Sequence, residues 1–362
     1  MKFLLFSSFA RLVLDRDPQR VSGGAELQMG LLAQALVQRG HQVTLLGAGT
    51  DFTDEPVIDG VQIRVGGRFD SGDLLDTLRS FVRVAQVLKT DRPEWVVIMG
   101  AGTWLWLLWL LQLPFNFATA FITASDIDAD GSYRKMFPLR GWLYEFALGR
   151  VARTIAMSEY QRRGLIRFGL QPGFYRNLLL PSSNHPVTKD IDFLWVSSAQ
   201  QLKQPEIFLR LAEQLPHRHF VMICPLKDNL ALFESIQLRA SALENLEFHS
   251  LIPYHEVQTF FQRAQIFVNT SDYEGFPNTF LQAGLARTAL LSLRVDPDEI
   301  VTRHGSGICA CGDIETFYKG ATSMINNPQA LLTMQERVAE YVALRHSTEA
   351  NLEAFLAALH QQ

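Results

Sequence analysis

Residues 265–283 read Q-I-F-V-N-T-S-D-Y-E-G-F-P-N-T-F-L-Q-A, an apolar run, a polar loop and a second apolar-periodic run. The first part, QIFVNT, carries the β-branched and aromatic residues of a buried strand. The last part begins at Pro277, which suits the first helical position because its ring presets φ and it has no N–H to lose. The amides of Asn278 and Thr279 would then stand at a helix start, where free N–H groups favour an anion. Glu274 precedes this start, and Gln282 lies five residues beyond Pro277, roughly 7–8 Å along a helix at ~1.5 Å per residue. Two polar groups so spaced suit different parts of one extended ligand. The same residues also read as an ordinary helix start with a solvated glutamine, since acids near helix starts are favoured by the dipole. In open α/β sheets, ligands sit at loops of this kind, at the carboxyl ends of strands.

The strand–loop–helix pattern continues in both directions. FLWVSS, HFVMIC, LEFHS, QIFVNT and ALLSL alternate with helical stretches in the second half of the chain. In the first half the strand-like runs are KFLLFS, HQVTLLG, VQIRV, WVVIMG, FATAFIT and RTIAMS, with helices at Ala25–Arg39, Leu74–Leu88 and Leu143–Val151. Such alternation implies doubly wound parallel sheets. The stretch 181–186, PSSNHP, reads as a linker. A chain of 362 residues is long for one core and comfortable for two. The expected architecture is α/β, with two Rossmann-like domains facing across a cleft, at 1–183 and 184–346. An amphipathic final helix follows at 347–362, with Ser347 as its cap.

Composition excludes several classes. A net charge of −4 argues against non-specific nucleic-acid binding, which needs a basic face, and leaves room for a local basic pocket that takes a diphosphate. Cys224, Cys309 and Cys311 supply neither a disulfide framework nor a metal-ligand set, and read as buried small hydrophobes in a reducing cytosol. The apolar run at 2–10 is broken by Arg11 and reads as a first strand, not as a signal peptide. Residues 95–125 contain no charge and are long enough to span a bilayer. Gly100-Ala101-Gly102 and Pro114 cut that run into a buried strand–helix–strand unit. The alternative use of its helix is contact with a membrane or lipid acceptor through Trp104, Trp106 and Trp109.

The first strand is not followed by G-x-G-x-x-G, which disfavours redox chemistry on a nicotinamide. Instead Ser22-Gly23-Gly24-Ala25-Glu26 opens a helix. Paired glycines let a ligand approach the main chain, although a plain turn capped by Ser22 reads equally well. Lys203 follows the strand FLWVSS and precedes Pro205, which opens the next helix. A lysine there can reach a phosphate as a point charge, while most lone lysines face solvent.

Together these elements resemble the retaining glycosyltransferases of the GT-B architecture, family 4 (glycosyl transferases group 1), over nearly the whole chain. SGGAELQMGLLAQALVQRGHQVTLL is similar to that family's N-terminal loop and helix. WVSSAQQLKQPEIFLRLAEQLP resembles its strand, phosphate lysine and helix, and FVNTSDYEGFPNTFLQAGLA its E-x7-E region. The resemblance implies that Gly23, Gly24 and Lys203 bind a donor diphosphate, in a loop that also holds Glu26. It implies that Glu274 contacts the donor sugar, with Glu274 and Lys203 as the catalytic pair. Gly275, Phe276, Pro277, Asn278 and Thr279 would lie along sugar and phosphate, and Gln282 at the ribose. The implied partners are a nucleotide-sugar donor, which is a co-substrate and not a cofactor, and a glycan or lipid-linked acceptor. Retention of anomeric configuration, no metal, an acceptor-binding N-terminal domain, a donor-binding C-terminal domain and a cytoplasmic place, at the inner face of a membrane, are further implications.

Three departures from the family pattern stand out. The arginine expected after the strand is Ser198, and the second glutamate of E-x7-E is Gln282. Where a histidine often follows a strand of the N-terminal domain, Ser125-Asp126-Ile127-Asp128 stands. Ser125, Asp126 and Asp128 are candidates for acceptor hydroxyls or for capping, in preference to a D-x-D metal site. Loss of a cation from such a site costs about 3 kcal/mol in the transition state, or roughly a hundredfold in rate. Either another cation takes over, with one of Arg11, Arg16 and Arg20 in the loop before Gly23 as the candidate, or the enzyme is slow, or catalysis has been lost. A catalytically silent scaffold and a sugar-nucleotide epimerase are the alternative functions.

Overall fold

Short apolar strands covered on both faces by helices organise the chain, as period-2 and period-3.6 patterns in alternation require. The computed structural model describes residues 1–15, 23–51, 53, 55–69, 73–179 and 187–360. By contact it divides into two compact units, Met1–Leu179 with Thr348–Gln362, and Leu180–Ser347. Each is a Rossmann-like domain. The linker expected at 181–186 lies outside the described residues.

The first unit holds β1 (Lys2–Phe6), β2 (Gln42–Ala48), β3 (Val57–Ile58), β4 (Val61–Gly67), β5 (Trp95–Met99), β6 (Ala118–Ile122), β7 (Arg153–Ala156) and β8 (Gly173–Phe174). Their order in the sheet is β3-β4-β2-β1-β5-β6-β7-β8, and the β3–β4 pair is antiparallel while the others are parallel. β1 lies between β2 and β5, with Phe3 opposite both Val43 and Trp95. The two-residue strands β3 and β8 are too short to leave a pattern in sequence.

The uncharged run 95–125 folds as β5, the helix Thr103–Phe115 and β6. Pro114 falls in the last turn of that helix, which Asn116 then ends in the left-handed region. The tryptophans of this helix do not form an outward face. Trp104 is buried against Phe6 and Phe69, and Trp109 meets the edge of Phe146. No helix among the described residues is long and apolar enough to cross a membrane. The helix expected at Leu143–Val151 runs instead from Pro138 to Leu148. Pro138, at the first helical position, starts it earlier than the apolar periodicity alone suggests.

The second unit contains β9 (Ile191–Val196), β10 (Phe220–Ile223), β11 (Leu246–His249), β12 (Ala264–Asn269), β13 (Ala289–Ser292) and β14 (Gly307–Cys309). All are parallel, in the order β11-β10-β9-β12-β13-β14. Close approach at the β13–β14 edge requires Gly307, where a Cβ would stand 1.7 Å from the Leu290 carbonyl oxygen. Lys189 ties the amino ends of the sheet together. Its ammonium donates to the carbonyls of Ala264 (2.6 Å), Ala286 (3.2 Å) and Gln262 (3.3 Å), and to Thr288 Oγ1 (3.3 Å). Of the cysteines, Cys224 is buried and its thiol is pushed up to about 12 by burial. Cys309 is half-buried and Cys311 exposed, so the expectation of three buried cysteines fails at Cys311, which turns the chain with a φ of 51°.

The last helix, Thr348–His360, belongs to the first unit. Phe355 packs on Phe3 and Tyr175, and Asn351 Oδ1 accepts the Arg176 amide at 2.9 Å.

Candidate functional site

The carboxyl ends of β9 and β12 bring the second unit's expected residues together. After β9 the chain passes Ser198, makes a one-turn helix at Gln201–Lys203, and enters the helix Pro205–Gln214 through Gln204 at φ 45°. This turn is bound to the segment after β12. Thr270 Oγ1 donates to the Lys203 carbonyl at 2.6 Å and accepts from Trp195 Nε1 at 2.9 Å. The Asp272 amide donates to the Leu202 carbonyl at 3.0 Å. With Trp195 and Thr270 buried, these bonds lie in low dielectric and hold the two loops in one arrangement.

On that frame Lys203 Nζ stands 3.0 Å from Glu274 Oε2, the side chains 17% and 18% exposed. The other carboxylate oxygen of Glu274 accepts from Asn269 Nδ2 at 2.9 Å and from Ser271 Oγ at 2.6 Å. Asn269 also accepts the Ser271 amide through Oδ1, at 3.1 Å. Both Asn269 and Ser271 are buried, so the carboxylate rests on a fixed polar base with a single cation beside it. Their side-chain roles were not legible from the loop sequence, where a short polar residue reads equally well as turn chemistry.

Past Glu274 the half-buried Gly275 leads to Phe276 and Pro277. The Phe276 side chain turns inward, stacked on Tyr341 at 6.3 Å and against His346 at 4.6 Å. Pro277 stands one residue earlier than expected: it is the N-cap, with ψ 129°, and the helix is Asn278–Leu285. The first turn is closed by the Phe280 amide on the Pro277 carbonyl at 3.0 Å. Proline's fixed φ suits an extended N-cap as well as a first helical residue, and the backbone chose the former. Asn278 and Thr279, both half-buried, carry the amides at the positive end of the helix. Gln282 is only 4% exposed, and its amide nitrogen Nε2 has no hydrogen-bond partner among the described residues. A buried donor left unpaired costs about 1–3 kcal/mol, which a ligand oxygen would recover.

Ser198 has no cationic function; its hydroxyl accepts from Gln200 Nε2 at 3.0 Å. Sequence reasoning missed a second cation here, Arg294, in the loop after β13 and 3.4 Å from Asp272. Only the fold brings positions 272 and 294 side by side.

In the first unit, Gly23 is the N-cap of the helix Gly24–Gln38, with the Leu27 amide on its carbonyl at 3.0 Å. Its φ of −76° is open to any residue, and the Glu26 carboxylate folds back over it, 2.4 Å from where a Cβ would stand. Ser22, Arg16 and Arg20 lie outside the described residues. Arg11 is described: it pairs with Asp15 at 3.0 Å.

Asp128 is a capping group. Buried at 4% exposure, it accepts the amides of Ala101 (3.1 Å), Ala124 (2.7 Å) and Ser125 (2.9 Å), joining the carboxyl ends of β5 and β6. Burial holds its carboxyl above the usual range, opposed by those three amides. Ser125 completes the capping box, and Asp126 accepts from Gln161 Nε2 at 3.2 Å. Of the three, Ser125 and Asp126 keep half-exposed side chains. No group of three or more metal-ligating side chains occurs among the described residues.

Comparison with known proteins matches residues 22–174 to the model of Glycosyltransferase Family 4 and residues 190–327 to that of Glycosyl transferases group 1. No curated protein sequence matches the chain. Among solved structures, it is similar to sucrose-phosphate synthase from Thermosynechococcus elongatus, at 16% identity and a TM-score of 0.79, over 99% of this chain and 98% of that one. It is similar to Anabaena HepE in complex with UDP at 12% identity and a TM-score of 0.74, over 99% and 100% of the two chains. With S. aureus TarM, in complex with fondaparinux, α-GlcNAc-glycerol and UDP, identity is 12% and the TM-score 0.65, over 78% of this chain. The chain spans 59% of the length of that protein.

Proposed function

Because the chain belongs to the group 1 glycosyltransferases of the GT-B fold, we propose that it moves a hexose from a nucleotide diphosphate sugar to a glycan or lipid-linked acceptor, with retention and without a metal. The observation that carries this reading is the Lys203–Glu274 pair of 3.0 Å, seated at the carboxyl ends of β9 and β12 beside a helix start. The donor diphosphate takes Lys203 and the amides of Asn278 and Thr279, and its arrival draws the ammonium away from Glu274. Glu274, still held by Asn269 and Ser271, accepts hydroxyls of the sugar. The unpaired Gln282 amide donates to a ribose oxygen. In the first unit, the helix start at Gly23, Gly24 and Glu26 is the candidate for binding an anion, and Ser125 and Asp126 are the candidates for acceptor hydroxyls.

With no evident nucleophile among the described residues of this site, the proposed chemistry is positioning and stabilisation of the departing diphosphate. The bond from the anomeric carbon to the phosphate oxygen breaks as the acceptor oxygen bonds to that carbon from the same side. The acceptor proton passes to the diphosphate, which leaves as the nucleoside diphosphate. The known complexes of HepE and TarM with UDP favour a uridine donor.

The test incubates the protein with UDP-, GDP- and ADP-sugars and follows slow donor hydrolysis, with Lys203→Ala and Glu274→Gln beside it. Turnover of one donor, reduced at least tenfold in both variants, is the expected result. No binding and no turnover with any of them would end the proposal. Binding without turnover would identify a catalytically silent relative, as the residues at 198 and 282 would allow.

A further inference from the structure

The first unit carries an apolar surface that neither its core nor the donor reading uses. Residues 134–140, Arg-Lys-Met-Phe-Pro-Leu-Arg, are exposed without interruption, directly before and within the start of the helix Pro138–Leu148. That helix buries Gly141, Tyr144, Ala147 and Leu148 as its inner stripe. Its outer face, where charged residues are the rule, instead presents Leu139 at 73% and Trp142 at 49% exposure. Met136 and Phe137 precede them at 52% and 44%. Large apolar side chains gathered in this way mark an interaction site, since scattered single ones are normal and a contiguous group is not.

The charge around the group is strongly one-sided. Residues 130–170 contain eight Lys and Arg against three Asp and Glu, in a chain whose net charge is −4. Two of these cations are paired, Arg134 with Glu145 at 2.7 Å and Arg162 with Glu159 at 3.4 Å. Lys135 and Arg140 have no ion-pair partner among the described residues. The helix Glu159–Arg167 adds Arg163 and Arg167, both exposed. It packs on the segment just before that surface: Gly164 lies on the Ala129 carbonyl, and the Phe168 ring lies 3.5 Å from where a Cβ of Gly131 would stand.

We propose that Met136, Phe137, Leu139 and Trp142, flanked by Lys135 and Arg140, dock the protein on the surface of a bilayer containing anionic lipid. Lys135 directly precedes Met136 and Phe137, and Arg140 stands between Leu139 and Trp142, so cations and apolar side chains must be met together. A bilayer interface does this, with phosphates for the cations and acyl chains a few ångströms below for the apolar groups. Trp142, stacked on Phe146 at 5.8 Å, has the amphipathic ring that favours this boundary. The surface follows the loop at the carboxyl end of β6, which holds Ser125 and Asp126, so docking would bring a lipid-linked acceptor to that end of the sheet. The docking itself does not depend on the donor reading.

The test is flotation of the whole chain with vesicles of phosphatidylcholine alone and of phosphatidylcholine mixed with phosphatidylglycerol. Wild-type protein should float with the mixed vesicles, remain below with the neutral ones, and be released by added salt. Leu139→Ser with Trp142→Ser, and separately Lys135→Glu with Arg140→Glu, should each lower partitioning about tenfold or more. All four side chains are exposed, so thermal unfolding should be unchanged. Leu238→Ser, an exposed leucine of the other unit, should leave flotation as it was. Equal partitioning onto neutral and mixed vesicles, no partitioning at all, or retention of binding by both double variants would overturn the proposal. So would variants that convert a dimer to a monomer without any vesicle binding, since the face would then be a contact between copies. Loss of docking with donor hydrolysis intact separates this inference from the donor assignment.

Discussion

Glu274 shows what one residue type can and cannot announce. Its place before a helix start singled it out in the sequence, but its environment comes from three side chains: Lys203, Asn269 and Ser271. In the proposed reading Lys203 meets the phosphate, while Asn269 and Ser271 act through the Glu274 carboxylate and are positioning residues. Ser271→Ala should therefore lower kcat about tenfold, the value of one hydrogen bond to a charged group, with the Kd for UDP unchanged. Lys203→Ala should weaken UDP binding tenfold or more; isothermal titration beside steady-state rates distinguishes the two. The cation missing at Ser198 is a residue-scale question too. Arg294, held by Asp272 at 3.4 Å, stands in the same loop cluster. Arg294→Ala should cost roughly tenfold to a hundredfold in turnover, and Ser198→Arg should restore part of it. An Arg294→Ala enzyme with full turnover would return the question to Arg11, Arg16 and Arg20.

At the scale of elements, the strands expected from apolar runs are all present, and those missed, β3, β8 and β14, have two or three residues each. A strand that short is made by its neighbours, so nothing in its own sequence announces it. Lys189 is the clearest case of an element-level device hidden from sequence. A lysine before a strand reads as solvent-facing, yet it is drawn in by four oxygens at the amino ends of β12 and β13. Burial lowers its ammonium to about 8. With the folded value below that of the unfolded chain, the unfolded state binds more protons between pH ~8 and ~10.5, so stability rises with pH across that window. Below pH ~8 both states are protonated and the contribution is constant. Denaturant unfolding of wild type against Lys189→Met should show this rise, at most about 3 kcal/mol, in the wild type only. Equal slopes for the two proteins would exclude it. Gly307→Ala should destabilise the second unit by several kcal/mol, about the cost of an unrelieved overlap with the backbone of Leu290, read from urea midpoints.

On the scale of the whole molecule, two separate cores and one returning helix organise the chain. Thr348–His360 follows the second unit in sequence but packs in the first, through the fully buried Phe355. Ending the chain after Ser347 should therefore raise amide exchange in β1 and β8 and leave β9–β14 protected. Loss of a buried Phe alone costs about 3–5 kcal/mol. Uniform loss of protection in both units would show that the helix stabilises something other than the first core. Period and punctuation settled the βα alternation, the two domains and the helix starts at Pro205 and near Pro277, and marked Glu274 and Lys203 one by one, because each of these rests on chain-local geometry. Only the tertiary structure decided that Asp128 is spent on three amides, that Phe276 points into the core, and that Trp104 is buried while Trp142 is exposed. Burial and partner choice depend on which distant segments fold over a residue, and no local pattern carries that information.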